Sequence, residues 1–195
     1  MQPIERPADA GAHLLALARA SIARALQIEA TATDARSSWL DEPGACFVTL
    51  SQHGALRGCI GSLEAHRALR LDVQANAVAA ALHDPRFAPL GAHEFGLTDV
   101  EVSLLSPPQP LHYVDERDAL AQLRPGLDGL VLVFGAQRST FLPQVWEQLP
   151  DPQGFLAQLK RKAGLAANFW HSELQLQRYT VEKWKENKTG LVQPA

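Results

Sequence analysis

Residues 45–61 read ACFVTLSQHGALRGCIG, and this stretch sets the first part of the fold. Two runs rich in apolar and β-branched residues, 45–50 and 55–61, flank the turn-forming tetrapeptide Ser-Gln-His-Gly. This arrangement predicts a β-hairpin. Because alternate side chains of a strand share a face, Arg57 and Cys59 are expected to point the same way.

The thiol of Cys59 is the chemically distinctive group of this hairpin. A guanidinium beside a thiol favours the thiolate, which is the nucleophilic form, so we expect Arg57 to activate Cys59. Gly58 and Gly61 carry no side chain, which lets a ligand or another backbone segment approach closely. The alternative is a small buried cysteine whose neighbouring glycines are needed only for packing.

Further elements are predicted around the hairpin. Apolar residues at helical spacing predict helices over 8–28 and 66–83, and the second must end near Asp84 because Pro85 disfavours helical geometry there. Alternating residues predict a strand over 97–105, with Val100, Val102 and Leu104 on one face. The prolines of Pro107–Pro110 prevent that strand from continuing and indicate a boundary.

Beyond the prolines, similar elements recur in a similar order. The sequence predicts a short helix near 115–124, strands over 129–134 and 139–142, a helix from Asp151-Pro152 to Gly164, and a late strand over 173–183. Polar residues predict a loop over 31–44 and a tail from 186. Both halves can be written hairpin–helix–strand. We therefore predict an α+β fold with mainly antiparallel sheet, as one domain over 1–195 with lobes 1–106 and 111–185 and an extra N-terminal helix.

The segment Leu56-Arg57-Gly58-Cys59-Ile60-Gly61 resembles the signature of the AMMECR domain family, also called AmmeMemoRadiSam system protein A. Further segments match in the same order: Asp84-Pro85-Arg86-Phe87, Pro89-Leu90, VEVSLL at 100–105, Gly126 with Asp128-Gly129, Phe141-Leu142-Pro143 with Val145, and Lys162-Ala163-Gly164. The resemblance runs from about Cys46 to about Tyr179. It implies an α+β fold with a structural duplication and an association with a radical SAM protein and a Memo-like protein. It implies no settled biochemical activity.

Composition excludes several classes of protein. The chain has 195 residues, of which 46% are hydrophobic and 20% charged, and its net charge is −3. These totals are those of a globular protein without a basic footprint for nucleic acid. No window approaches 18 uninterrupted apolar residues and the N-terminus is unlike a signal peptide, so we expect a cytoplasmic protein without a membrane span. Metal-ligand spacings and nucleotide-binding motifs are lacking, so we expect neither a metal nor a cofactor.

The segment after the second helix supplies further candidate site residues. Arg86 has a planar fork of donors that suits a carboxylate or a phosphate. The alternative is that Asp84 and Arg86 lock their own loop, by pairing with each other or with Glu94. If the lobes enclose a cleft, these two residues are expected to bind substrate there together with Gly58 and Gly61.

Two other features leave alternatives open. His83 and His53 are candidate bases for Cys59, since Cys–His pairs are spatial rather than sequential. A hairpin loop centred between Gln52 and His53 would place Cys46 opposite Cys59, within disulfide reach, although two free thiols are the default in a reducing cytosol.

The run Lys160-Arg161-Lys162 is a candidate anion site. The alternative for these cations is that they complement the dipole at the end of a helix.

Two functions are compatible with this pattern. The first is a thiol-dependent enzyme or enzyme component that acts on a small polar or anionic substrate at an interlobe cleft, with Cys59 and Arg57 as catalytic residues. The second is a non-catalytic adaptor that binds a ligand or a protein, with Cys59 structural.

Overall fold

A computed structural model describes residues 6–29 and 37–186. Two predicted segments lie partly outside these residues: positions 31–36 of the predicted loop, and the predicted tail beyond 186. The chain forms two compact units, Met1–Leu105 with Glu182–Ala195, and Ser106–Val181. The first division follows Leu105, next to the proline cluster. The predicted second lobe, 111–185, differs at its end, because the chain returns to the first unit after Val181.

Regular structure alternates between helices and antiparallel strands. In chain order the elements are α1 (Ala10–Ala25), β1 (Cys46–Gln52), β2 (Ala55–Gly61), α2 (Leu69–Leu82), β3 (Thr98–Leu105), β4 (Gln109–Pro110), α3 (Glu116–Gln122), β5 (Gly129–Phe134), β6 (Gln137–Phe141), α4 (Pro152–Lys162), β7 (Gln175–Tyr179) and β8 (Val181–Lys185). Short 3-10 turns cover Ser38–Leu40, Ala92–Leu97 and Pro143–Glu147. The late strand predicted over 173–183 is two strands that belong to different sheets.

The first unit packs α1 and α2 against one face of a four-stranded sheet. Its strand order is β2–β1–β3–β8, and β1 runs antiparallel to both β2 and β3. The alternating residues of β1 and β3 that face the helices are buried: Cys46, Val48, Leu50, Val100, Val102 and Leu104. The alternation predicted for β3 is therefore confirmed, and one face of this sheet supplies the core.

The second unit repeats this plan. Its strand order is β4–β7–β5–β6, and β5 is antiparallel to both β6 and β7. The core contains Leu130, Leu132, Trp146, Phe155, Leu159 and Leu176. As predicted, α4 begins at Pro152 with Asp151 as its capping residue, whose carboxylate accepts from the Gly154 N–H at 2.7 Å.

The two sheets confirm the predicted α+β fold and its duplication. In each unit a hairpin, a helix and a returning strand follow one another, and the first strand of the hairpin lies between its two partners. Within the described residues, no helix is long and apolar enough to cross a bilayer.

The hairpin register differs from the prediction. The turn is His53–Gly54, and both residues have positive φ, 51° and 81°, which is the geometry of a two-residue type I′ turn. Ser51 pairs with Leu56 but Leu50 pairs with Gly58, so Arg57 is an extra residue in β2. Cys59 therefore lies opposite Thr49, and the register that would place Cys46 opposite Cys59 is not the one formed.

Candidate functional site

Cys59 lies on β2, an edge strand whose outer side is closed by side chains at this residue. The Cys59 N–H donates to Asp84 Oδ2 at 2.8 Å, and Arg86 Nη2 donates to the Cys59 carbonyl at 3.2 Å. A neighbouring strand would offer the same donor and acceptor. At Cys59, side chains of the segment after α2 therefore make the two hydrogen bonds that a neighbouring strand would make.

Asp84 and Arg86 form a two-point ion pair. Arg86 Nε lies 2.9 Å from Asp84 Oδ1, and Arg86 Nη2 lies 2.7 Å from Asp84 Oδ2. Hydrogen bonding to Arg86 and then to the Cys59 N–H holds the pKa of Asp84 well below its usual range. The Asp84 side chain is buried whereas that of Arg86 is 54% exposed, so the guanidinium has a free side. The ion pair itself is the one that the alternative reading of this loop expected, and substrate binding by these residues stays a prediction.

The Cys59 sulfur has a hydroxyl and a cation as neighbours. The thiol is free and half-buried, and Thr49 Oγ1 donates to Cys59 Sγ at 3.3 Å. Hydrogen bonding to Asp84 raises the pKa of Arg86, and the proximity of Cys59 acts in the same direction. The sulfur is therefore within electrostatic range of the Arg86 guanidinium.

A carboxylate lies in the same row across the sheet. Thr49 pairs with Cys59 on one side and with Glu101 on the other. Directly paired residues of neighbouring strands point to the same face. Since Val48 and Leu50 face the helices, the row Cys59–Thr49–Glu101 lies on the opposite face of the sheet.

Arg57 is held by a different partner from the one predicted. Its Nε and Nη2 each lie 3.1 Å from an oxygen of Glu94, and its Nη1 donates to the Ala88 carbonyl at 2.9 Å. Because Arg57 is the extra residue of the β2 bulge, simple alternation does not assign it to the face of Cys59. Arg57 is thus engaged by Glu94 and Ala88, and its activation of Cys59 stays a prediction.

Glu94 connects Arg57 to the neighbouring turn. Hydrogen bonding to Arg57, supported by the Gly91 N–H at 2.8 Å and by Gln52, lowers the pKa of Glu94 from 4.5 to about 2. Between pH 4.5 and about 2 the carboxylate is therefore mostly ionised in the folded protein and mostly protonated in the unfolded chain. This segment is therefore tied to β2 by charged hydrogen bonds.

We expect Glu94→Gln to make the free energy of unfolding depend less steeply on pH in the acid range. Because the folded pKa of Glu94 is below its unfolded value, its contribution is fully present above pH 4.5 and is lost as pH falls towards 2. Urea unfolding at several pH values should show that wild type takes up more protons on unfolding in this window than Glu94→Gln, by at most one. Glu182→Gln, whose side chain is 54% exposed, is the control and should keep the wild-type slope. An unchanged slope in Glu94→Gln would contradict the assignment.

The two glycines beside Cys59 have close neighbours in the first unit. A Cβ on Gly58 would lie 2.1 Å from the carbonyl oxygen of Ala80 on α2. A Cβ on Gly61 would lie 2.2 Å from the ring of Phe47 and 2.7 Å from the Cys46 carbonyl. The close approach predicted for a ligand or a backbone segment is, at Gly58, the approach of the α2 backbone.

Cys46 is a buried thiol within a polar cluster. Burial, followed by the nearby Asp72, raises the pKa of Cys46 far above its ordinary value. The Asp72 carboxylate accepts from the Cys46 N–H at 2.9 Å and from Ser62 Oγ at 2.7 Å. Both cysteines are free, so no disulfide joins Cys46 to Cys59.

Comparison with known proteins assigns the family. The family model described as AMMECR1 matches residues 15–184. The chain belongs to the AMMECR1 family. A protein of Methanothermobacter thermautotrophicus is 38% identical over 143 residues, 72% of this chain and 74% of the relative. Protein MJ0810 of Methanocaldococcus jannaschii is 32% identical over 91% of this chain and 90% of its own length.

A solved structure of the same family has the same fold. The crystal structure of uncharacterized protein PH0010 from Pyrococcus horikoshii superposes with a TM-score of 0.73 at 31% identity. The match covers 90% of this chain and 91% of that chain. The resemblance predicted from the hexapeptide at 56–61 is confirmed.

The two candidate bases of this AMMECR1-family chain are exposed histidines. His83 is exposed at the end of α2, and His53 is exposed in the hairpin turn. In the described part of the chain, no hydrogen bond or ion pair joins either ring to Cys59. Across residues 6–29 and 37–186, no three His, Cys, Asp or Glu side chains are grouped to hold a metal ion.

Sequence reasoning missed Thr49, Glu101 and the partner of Arg57. Thr49 and Glu101 reach the row of Cys59 only through the cross-strand register. A search for polar residues at alternating positions of β1 and β3 would have found both as members of the face that does not carry the core. Glu94, one of the expected partners of the 84–86 loop, pairs with Arg57 instead.

Proposed function

We propose that this AMMECR1-family protein is a thiol-dependent enzyme, or a component of one, that acts on a small polar or anionic substrate. One observation carries the proposal: the half-buried Cys59 sulfur accepts a hydrogen bond from Thr49 Oγ1 at 3.3 Å and lies in range of the Arg86 guanidinium. A donor and a cation both favour the thiolate over the thiol. Every group involved belongs to the first unit.

Each residue has a distinct role in this proposal. Cys59 supplies the thiolate, which bonds to an electrophilic atom of the substrate while the leaving group departs with its electron pair. Thr49 holds the sulfur in position. Arg86 is fixed on one side by Asp84, and its exposed side is available for an anionic part of the substrate.

The role proposed for Arg57 changes from the expectation. Its bond to Glu94 positions the chain that follows Arg86, so we assign it to the support of the site. Gly58 and Gly61 act by letting α2 and Phe47 approach β2. Glu101 lies in the row of Thr49, on the same face, and offers a carboxylate for accepting a proton through water.

The wider role follows from the family resemblance. It implies an association with a radical SAM protein and a Memo-like protein, and a thiol that carries a group between partners would suit an accessory step of such a modification pathway. We propose this association on the resemblance alone, together with a cytoplasmic location.

The rate of Cys59 alkylation at a fixed neutral pH tests the proposal. We expect iodoacetamide to modify Cys59 in the folded protein, since the neighbouring donor and cation favour the thiolate. Arg86→Ala should slow the reaction, because the cation is removed. Arg24→Ala removes an exposed arginine of α1 and should leave it unchanged. Cys46 is an internal reference, because burial keeps it unreactive until unfolding.

The adaptor alternative gives a different result. If Cys59 reacts only after the protein unfolds, as Cys46 does, the thiol is structural and the enzyme proposal fails. The same holds if Cys59 reacts at the same rate in Arg86→Ala as in wild type. Peptide mapping by mass spectrometry distinguishes the two cysteines in each sample.

A further inference from the structure

A groove in the second unit combines charge, amide groups and an apolar floor. Its volume is about 590 Å³, and it lies between α3, α4 and the segment that follows α4. The side chains that line it include Glu116, Arg117, Leu120, Gln153, Ala157 and Asn168. Small-molecule sites have volumes of roughly 300–1,000 Å³, so the groove is large enough for one small ligand.

The Glu116 carboxylate of this groove is neutralised by the buried ammonium of Lys160. Lys160 is fully buried, and its ammonium donates to Glu116 Oε1. The ammonium also lies 5.3 Å from the centroid of the Trp170 ring. Because a buried ammonium needs an ionised partner, the Glu116 carboxylate serves Lys160 and adds little net charge to the groove.

Arg117 then determines the charge of the groove. Its side chain is exposed, and it forms no ion pair with any residue of the described ranges. With Lys160 and Glu116 cancelling each other, one positive charge remains. Gln153 and Asn168 supply amide donors to orient a polar group.

The apolar residues of the groove indicate the chemistry of the rest of the ligand. Leu120 and Ala157 are half-buried and give the groove its apolar floor. We propose that this groove binds a small organic anion, a carboxylate with a short aliphatic chain. Arg117 would hold the carboxylate through two parallel hydrogen bonds, and the chain would lie on Leu120 and Ala157. This site is independent of Cys59.

An NMR titration of the full chain tests the site. Sodium butyrate is the probe, 1-butanol is its uncharged counterpart, and sodium chloride controls for ionic strength. We expect butyrate to cause saturable shifts at the backbone amides of Leu120, Ala157 and Asn168. Arg117→Gln should weaken binding by about tenfold, since it removes the cation that pairs with the carboxylate.

Two further variants make the test specific. Arg161→Gln removes an exposed arginine of α4 that does not line the groove and should leave the affinity unchanged. Ala157→Leu fills the floor and should abolish saturation, with the dispersed spectrum showing that the fold is kept. The proposal is overturned if butyrate shifts no more than sodium chloride does, if 1-butanol binds equally well, or if Arg117→Gln binds as tightly as wild type.

Discussion

Replacement of Gly58 by alanine is expected to lower the free energy of unfolding by about 3 kcal/mol. The added Cβ would lie 2.1 Å from the Ala80 carbonyl oxygen and 3.1 Å from its carbon. These are backbone atoms of α2, so no side-chain rotation relieves the overlap. Either β2 or α2 must move, and movement of β2 also disturbs the Asp84 and Arg86 contacts at Cys59.

Gly96 provides a matched control for this substitution. A Cβ on Gly96 has no heavy atom within 4 Å, and the residue does not have positive φ. Gly96→Ala should therefore change stability by less than about 0.5 kcal/mol. Urea unfolding measures both variants, and hydrogen exchange at β2 and α2 peptides localises the effect. A loss below about 1 kcal/mol in Gly58→Ala would mean that the two elements are not as closely packed as described.

The order of elements was accessible from sequence because it depends on local pattern. Alternation over 97–105 predicts β3, and helical spacing with Pro85 predicts where α2 ends. The register of the hairpin could not be predicted from local pattern, because it depends on an extra residue at Arg57. That bulge accompanies the packing of Gly58 on α2, a tertiary contact that no local pattern encodes.

The same distinction applies to the candidate site. Cys59, Asp84 and Arg86 could be selected because a thiol and an arginine fork have recognisable chemistry. Thr49 and Glu101 carry no such signature, and only the register brings them into the row of the thiol. A one-residue shift in a hairpin changes every cross-strand neighbour, so a site built across strands is not predicted by spacing alone.

The position of Lys160 in its helix predicts only part of what this residue does. Three cations in the last turn of α4 agree with the predicted complement to the helix dipole. Lys162 reaches the Thr140 carbonyl at 2.9 Å, and Arg161 is exposed. Lys160 is instead fully buried against Glu116 of α3. Neighbouring residues of one helix point in different directions, so a charge run need not act as a unit.

Glu116→Gln should lower the free energy of unfolding by about 2 kcal/mol. The substitution leaves the Lys160 ammonium buried without an ionised partner, a change that costs roughly 3–5 kcal/mol for a fully buried pair. We expect less here because the Glu116 side chain is 37% exposed and water can reach it. Glu147→Gln, at an exposed position of the same unit, is the control and should have little effect.

Removal of the buried charge should rescue this loss. In a Lys160→Met background the ammonium is absent, so Glu116→Gln should cost less than about 0.5 kcal/mol. Lys160→Met alone should cost less than Glu116→Gln, since the carboxylate that it leaves unpaired is partly exposed. The four proteins form a double-mutant cycle, and urea unfolding gives a coupling free energy of about 2 kcal/mol. Equal costs of Glu116→Gln in both backgrounds would show that the two charges are not coupled, because only the buried ammonium makes the loss of the carboxylate expensive.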